Sequence, residues 1–373
     1  MDKPIRVLQI IGDVVGGGVE TVIMNYYRDI ERTKIQFDFV VHKGALPQYI
    51  AQVKKYGGKV YEITSYKSNI LKYTYEIYKI IKENNYEIVH SNMNSLSGFP
   101  LFAAYLACAK VRILHNHTTD NPAEGIRTIA KRILRPFARL FANQYWACSK
   151  LAAEWMYGKN AVINGRVTII NNAINLEKFK FNKEKREKLR KELGLENCFV
   201  IGHVGRFMKQ KNHEFLIDIF NEVLKQKKNA RLLFIGDGKL KQQIEEKVKK
   251  LGIEKDVIFL GVRNDVADLY NIMDIFVFPS FYEGLGMVII EAQVNGLSVV
   301  TSNAVPKEAK VTKNIRFLNL RQPKIEWCNA ILKAERKEIV NNEDILLKNF
   351  DIKSESRKLE NLYLKLIKGK SRT

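Results

Sequence analysis

Two glutamates bracket seven residues in the segment Pro279-Ser-Phe-Tyr-Glu283-Gly284-Leu285-Gly286-Met287-Val288-Ile-Ile-Glu291. The segment reads as a strand end, a loop and a helix start. Glu283 then falls in the loop and Glu291 about one turn into the helix. Gly284 and Gly286 allow the backbone to approach a ligand closely. The N–H groups around Leu285, Gly286, Met287 and Val288 are first-turn donors without helical acceptors, and with the helix dipole they favour an anion. Glu291 lies among Val288, Ile289, Ile290 and Ala292, where a carboxylate without a partner costs free energy. So placed, it can accept two hydrogen bonds from vicinal hydroxyls such as those of a ribose.

A second cluster is Gly205-Arg206-Phe-Met-Lys209-Gln-Lys211-Asn212, between a strand and a helix. Arg206 and Lys211 project from one loop over the same strand end. A guanidinium forks onto two phosphate oxygens and an ammonium adds a compact charge, a combination suited to a diphosphate leaving group. Lys209 reads as a surface cation. A third candidate is the glycine-rich turn Gly16-Gly17-Gly18, which opens a helix and lets backbone amides approach a phosphate. It lacks the dinucleotide fingerprint, because Thr21 stands three residues after Gly18, and this disfavours a dehydrogenase. Gly57-Gly58-Lys59 fails the Walker pattern, since Val60 follows and Val53 replaces the first glycine. His90, His115 and His117 fall at strand ends with no i, i+4 metal pairing, and His90 reads as structural.

The elements that must carry these residues alternate between strand-like and helix-like runs, which predicts parallel sheets with crossover helices. Strands are expected at Val7–Ile11, Phe37–Val41, Val60–Ile63, Ile88–His90 and Arg112–Asn116. A second series is expected at Phe199–Val204, Arg231–Ile235, Val257–Leu260, Ile275–Phe278 and Ser298–Thr301. Between the two series, Leu176–Leu193 is rich in Lys and Glu and reads as a linker plus an exposed helix. The fold class is therefore α/β, with two Rossmann-like doubly wound domains at 1–175 and 176–351. An amphipathic C-terminal helix at 352–368 is expected to pack back on the first. Two such halves imply a cleft, with ligands beyond the carboxyl ends of the strands.

A chain of 373 residues, 46% hydrophobic, can bury two cores and is not mainly disordered. Its four cysteines, Cys108, Cys148, Cys198 and Cys328, are scattered without a zinc-type spacing and fit reduced thiols. The N-terminus does not read as a secretory signal. The longest apolar run, Phe99–Ala109, is well short of the roughly 20 residues that span a bilayer. A cytoplasmic protein is expected, soluble or lying on the inner membrane face. The net charge of +22 is spread over both halves and attracts phosphates, nucleic acid or an anionic membrane. No RNA or DNA module accompanies it, so no specific nucleic acid is expected. In Ile126–Phe141, residues Ile126, Ile129, Ala130, Ile133, Phe137, Leu140 and Phe141 form an apolar stripe. Arg127, Lys131, Arg135 and Arg139 form a basic one. Such a segment suits either an anionic lipid surface or packing on the first sheet, with Pro136 expected to kink it.

Together, Gly17-Gly18-Val19-Glu20, Asn172-Ala-Ile-Asn175, Gly205-Arg206…Lys211, Gly236-Asp-Gly238 and Glu283-x7-Glu291 resemble the retaining GT-B glycosyltransferases of sequence family 4. The stretches Lys209–His213 and Thr301–Glu308 look most like the branch that builds bacterial exopolysaccharide or capsule. The resemblance covers nearly the whole chain. It implies that Arg206 and Lys211 hold a donor diphosphate with the amides of Gly284–Val288. Glu291 would bind the ribose and Glu283 the donor sugar hydroxyls. Residues Gly261–Arg263 would border the base, with Gly17 near the phosphates. His117 best matches the family's N-domain active-site histidine, with His115 as the alternative. The family's Lys-Gly and Gly-Gly-x-Pro-Glu patterns are here Lys211-Asn212 and Ala304-Val-Pro-Lys-Glu308, departures that touch the donor-sugar contacts and spare the diphosphate site.

The implied activity is retaining transfer of a hexose-type unit from a nucleotide diphosphate sugar, UDP-linked, to a saccharide acceptor carried on a polyprenyl diphosphate. No metal or cofactor is expected, since no Asp-x-Asp sequence occurs. Alternatives are a GT-B nucleotide-sugar epimerase, which needs no second substrate, and a non-catalytic binder of nucleic acid or membrane.

Overall fold

The computed structural model describes residues 3–14, 18–118, 126–336 and 349–369. The chain divides into two units, Met1–Ile174 with Asn349–Thr373, and Asn175–Lys348.

The first unit holds seven parallel strands: β1 (Ile5–Gly12), β2 (Ile35–His42), β3 (Val60–Ile63), β4 (Ile88–Ser91), β5 (Val111–Asn116), β6 (Gln144–Ala147) and β7 (Val167–Ile169). Their order is β3-β2-β1-β4-β5-β6-β7. Every residue of β2 is buried, as a parallel strand covered on both faces requires. The crossovers are α1 (Gly18–Asp29), α2 (Pro47–Lys55), α3 (Ile70–Asn84), α4 (Gly98–Leu106), α5 (Ile126–Phe141), α6 (Lys150–Tyr157) and α7 (Lys159–Ile163). The C-terminal helix (Ile352–Lys368) starts where Asp351 accepts a hydrogen bond from Ser354 N. It lies against α1 and buries Ile352, Leu359 and Tyr363 in the core of this unit. The strand order reverses between β1 and β4.

The second unit has six parallel strands: β8 (Phe199–Val204), β9 (Ala230–Ile235), β10 (Val257–Phe259), β11 (Ile275–Phe278), β12 (Ser298–Ser302) and β13 (Ile315–Leu318). The order is β10-β9-β8-β11-β12-β13, with the reversal between β8 and β11. Its helices are α8 (Leu176–Phe179), α9 (Lys183–Glu192), α10 (His213–Gln226), α11 (Lys241–Lys250), α12 (Val266–Ile272), α13 (Met287–Val294) and α14 (Lys324–Leu332). This is the doubly wound pattern expected from the alternation of runs.

Two expectations are refined. The exposed helix expected within Leu176–Leu193 is α9, exposed along most of its length but also bolted to the start of β11. The buried Arg190 donates to the carbonyls of Leu195 and Ile272 and pairs with Asp274 at 3.3 Å. Arg186 pairs with the same carboxylate. The stripe expected on α5 also splits. Its Phe137 packs on Phe99 and Phe141, and Ala138 is fully buried, while Ile129, Ile133 and Leu140 face solvent. Arg135 leaves the basic side to donate to the Trp155 carbonyl and lie over that indole, 5.2 Å from its centroid. The helix continues through Pro136.

Candidate active site

The reversal between β8 and β11 is where a doubly wound sheet opens a crevice for ligands. The loops leaving these neighbouring strands are 205–212 and 279–286, the two segments that carry Arg206, Lys211 and Glu283. Backbone contact fixes the first loop. Gly205 N donates to Ile235 O, and Phe207 N to Asp237 O, both at 2.9 Å. A Cβ on Gly236 would stand 2.2 Å from Gly205 O at φ +135°. Only glycine lets β9 end this close to the loop, which explains Gly236 in Gly236-Asp-Gly238. Gly236 N in turn donates to Gly261 O at 2.8 Å, joining residue 261 to the same crest.

The two loops are tied together. Gln210 O accepts from Phe281 N, and Gln210 Nε2 donates to Tyr282 O. Lys211 Nζ meets Glu283 Oε1 at 2.7 Å, with both side chains largely buried, and Ser280 Oγ donates to the same oxygen at 2.6 Å. The ammonium also sits 4.6 Å from the Phe278 ring centroid. Lys211 and Glu283 thus form an ion pair in this structure, with Arg206 exposed at the head of the loop. Gly284 leads into the buried Leu285. Gly286, at φ +81°, is the N-cap residue of α13, so the first-turn amides at Met287 and Val288 follow it directly.

Glu291, one turn into α13, has the partner that its apolar surroundings demand. Tyr270 Oη, fully buried on α12, donates to Glu291 Oε2 at 2.8 Å. Burial pushes the Glu291 carboxyl up to about 7, against the opposing pull of the Tyr270 hydrogen bond and the charge of Lys178 on α8. Arg263 stands apart from this group. It follows β10, the edge strand, and its guanidinium forks onto Asp265 at 2.8 and 2.6 Å.

In the first unit, the ends of β4 and β5 bring His90, His115 and His117 into one buried cluster. His90 Nε2 lies 3.0 Å from His115 Nδ1, and the rings of His115 and His117 stack with centroids 4.1 Å apart. His117 Nε2 meets Asn92 Oδ1 at 3.0 Å, and its backbone N–H donates to Asn94 Oδ1 at 2.7 Å. Burial pushes His117 down to about 4 and holds His90 and His115 well below the usual imidazole range, so all three are neutral. His90, expected to be structural, is thus bonded directly to the alternative catalytic histidine. Gly17 lies outside the described residues.

The profile of the family described as Glycosyltransferase Family 4 matches residues 16–178, and that described as Glycosyl transferases group 1 matches residues 185–317. A protein named as a glycosyltransferase, EpsF of Bacillus subtilis, is 32% identical over 336 residues, 88% of this chain and 87% of its own length. The chain belongs to the family 4 glycosyltransferases. Also similar to this family 4 glycosyltransferase is the Escherichia coli UDP-Gal:alpha-D-GlcNAc-diphosphoundecaprenol alpha-1,3-galactosyltransferase, 25% identical over 79% of each chain. The capsular polysaccharide biosynthesis glycosyltransferase CapH of Staphylococcus aureus is 25% identical over 96% of this chain and 99% of its own. Among solved structures, Anabaena HepE in complex with UDP-glucose superposes with a TM-score of 0.79 at 20% identity, over 96% of this chain and 99% of that one. That likeness carries the GT-B fold.

Within the group 1 match lie Arg206, Lys211, Arg263, Glu283 and Glu291, and within the family 4 match lies His117. The sequence reading misses Tyr270, Ser280, Lys178 and Asn92. Ser280 and Asn92 stand two residues past predicted strand ends, a positional signal present in the sequence. Nothing local marks Tyr270, which bonds Glu291 from another helix, or Lys178, whose charge acts on it from a third.

Proposed function

We propose that this glycosyltransferase moves a hexose-type unit from a UDP-sugar to a saccharide carried on a lipid diphosphate, with retention and without a metal, in exopolysaccharide or capsule synthesis. One observation carries the reading: a cationic loop, a helix N-terminus and two carboxylates gather at the β8/β11 reversal of one parallel sheet. The barrier is charge separation as the anomeric carbon leaves the diphosphate. Arg206 and the first-turn amides of α13 meet the charge on the departing oxygens, which is electrostatic preorganisation. Glu283, held by Lys211 and Ser280, can stand beside a diphosphate without full repulsion and accept hydroxyls of the sugar. Glu291 takes the ribose. The acceptor hydroxyl attacks from the face the diphosphate leaves, and its proton passes to the departing phosphate oxygen. The UDP and lipid-diphosphate assignments draw support from the names of the Escherichia coli relative and of the HepE complex. A panel of nucleotide sugars, screened by thermal shift and then by product mass, tests the reading. The expected result is a UDP-sugar that stabilises the protein and is transferred with its anomeric configuration kept, at a rate unchanged by EDTA. Inversion, donor-only turnover, or EDTA loss restored by magnesium would each refute a part.

The acceptor's lipid calls for a membrane face, and exposed apolar side chains of the first unit support one there. Leu71 and Tyr75 on α3, Tyr105 and Leu106 at the end of α4, and Ile129, Ile133 and Leu140 on α5 are large apolar side chains left exposed. The described part of α5 adds Lys131, Arg132 and Arg139 and no acidic residue. Apolar side chains among cations suit an anionic bilayer surface. No helix of the described residues is long and apolar enough to cross a membrane. Sedimentation with vesicles containing anionic lipid should capture the protein, and Ile133→Asp with Leu140→Asp should release it. Equal capture of that variant would remove the assignment.

A further inference from the structure

The histidine cluster is one end of a longer buried chain whose polarity can be read from a single carbonyl. Asn92 Nδ2 lies 3.4 Å from His90 O, a group that only accepts, so the amide nitrogen faces it and Asn92 Oδ1 is turned to His117. His117 is then protonated on Nε2. The same Asn92 Nδ2 donates to Gln9 Oε1 at 2.9 Å, so Gln9 presents its own nitrogen to Tyr363 Oη at 3.1 Å. With its oxygen accepting from Gln9, the Tyr363 hydroxyl sends its proton to His90 Nδ1 at 2.6 Å. His90 therefore carries its proton on Nε2 and donates to His115 Nδ1, which leaves His115 protonated on Nε2.

The donors run in one direction from His117 through Asn92, Gln9, Tyr363 and His90 to His115, every member at least nine-tenths buried. The two ends of the chain meet, since these are the imidazoles that stack at 4.1 Å. His117 Nδ1 is left as an acceptor and His115 Nε2–H as a donor, and neither finds a partner among the described residues. Both rings line one cavity of about 20 Å³, room for a single group the size of a water. One donor and one acceptor carried by two stacked rings that line the same cavity suit a single hydroxyl, which does both.

We propose that Gln9 and Tyr363 are positioning residues that set the direction of this chain, so that His115 and His117 together offer a donor and an acceptor to one hydroxyl of a bound sugar. The proposal rests on the sugar-transfer reading above and joins two histidines that the sequence leaves as alternatives. Tyr363 enters from the C-terminal helix, so closing that helix onto α1 also completes the chain.

Gln9→Glu tests it at nearly constant shape. Burial raises a carboxyl at residue 9, so the spectra are recorded at high pH, where its ionised form can only accept and Tyr363 must turn its proton toward it and accept from His90 Nδ1–H instead. Long-range ¹⁵N spectra of the imidazoles should then show His90 and His115 moved to the Nδ1–H form, with His117, held by Asn92, still Nε2–H. The kcat should fall about tenfold or more, the low end of what outer partners of ordered histidines contribute. The KM that rises, for donor or for acceptor, identifies which sugar owns the hydroxyl. Tyr363→Phe, which keeps the ring and cuts the chain, should lower kcat several-fold and lower the melting temperature, because Gln9 Nε2 and His90 Nδ1 lose a buried partner. An unswitched His115 in Gln9→Glu, a switched one with wild-type turnover, or full turnover in Tyr363→Phe overturns the proposal. The imidazole spectra need no substrate, so a wild-type enzyme that transfers no sugar would refute the function without altering what they report on the chain.

Discussion

Arg206→Ala should lower kcat by about 10²–10³-fold, the loss typical of removing one preorganised donor from a developing oxyanion, while leaving the thermal midpoint within a degree or two of wild type. The side chain is exposed, so its removal opens no cavity. Arg206→Lys should recover only part of the loss, because an ammonium cannot fork onto two phosphate oxygens. Lys211→Ala is a different experiment. Its Nζ is 2.7 Å from Glu283 in a largely buried pair, so truncation leaves a carboxylate without its cation. Breaking such a pair costs about 3–5 kcal/mol, and the midpoint should fall together with activity. Adding Glu283→Gln removes the stranded charge. The double variant should therefore regain much of the midpoint without regaining turnover. Turnover measured beside calorimetric melting for all four variants separates the two roles. Wild-type rates in Arg206→Ala would end the diphosphate assignment, and full recovery by the double variant would show the Lys211–Glu283 pair to be structural only.

The contrast between these two cations shows where sequence reading stops. Both are visible as basic residues on one loop after a strand, and the strand is visible because Phe199–Val204 is an apolar run of the length a buried parallel strand needs. What cannot be read is that Lys211 turns back to a glutamate 72 residues away, a pairing set by β8 and β11 lying side by side although α10, β9, α11, β10 and α12 intervene. The same limit hides β6, β7 and β13, which are short. Two residues of β6 and all of β7 are only partly buried, so neither shows a continuous apolar run. The exposed helix after the first series is legible, but its anchorage is hidden for a related reason. Residues 183–192 are so polar that hydropathy assigns them to solvent, but Arg186 and Arg190 are held by carbonyls and by Asp274, contacts that periodicity does not register. On α5 the period is right and the conclusion incomplete, because a helix with apolar residues on more than one side buries Phe137 and Ala138 and leaves Ile129, Ile133 and Leu140 outside.

Glu291 is legible as a carboxylate needing a partner, and its protonation supplies the second large effect. In the free enzyme burial raises its carboxyl to about 7, and Tyr270 fills one position on Oε2. Ribose hydroxyls donate to it, so they bind the ionised form and must release any proton it carries. The sign follows: affinity for the nucleotide rises as pH increases through about 7 and levels off above. With the carboxyl about one-eleventh ionised at pH 6 and ten-elevenths at pH 8, donor affinity should be about tenfold weaker at the lower pH. A UDP-sugar is the proper ligand, because its diphosphate carries no ionisation in this window, whereas UDP itself does. His117 and His203, each pushed down to about 4 by burial, titrate below it. Glu291→Gln keeps an acceptor for Tyr270 and removes the charge, so donor affinity should fall by about 1.5–3 kcal/mol, the worth of a hydrogen bond to a charged group, and the pH dependence should vanish with it. Calorimetric titration in two buffers of different ionisation enthalpy would also count the released proton in wild type and find none in the variant. A wild-type affinity flat from pH 6 to 8, or a Glu291→Gln variant that keeps the slope, would place the titrating group elsewhere and remove Glu291 from the ribose.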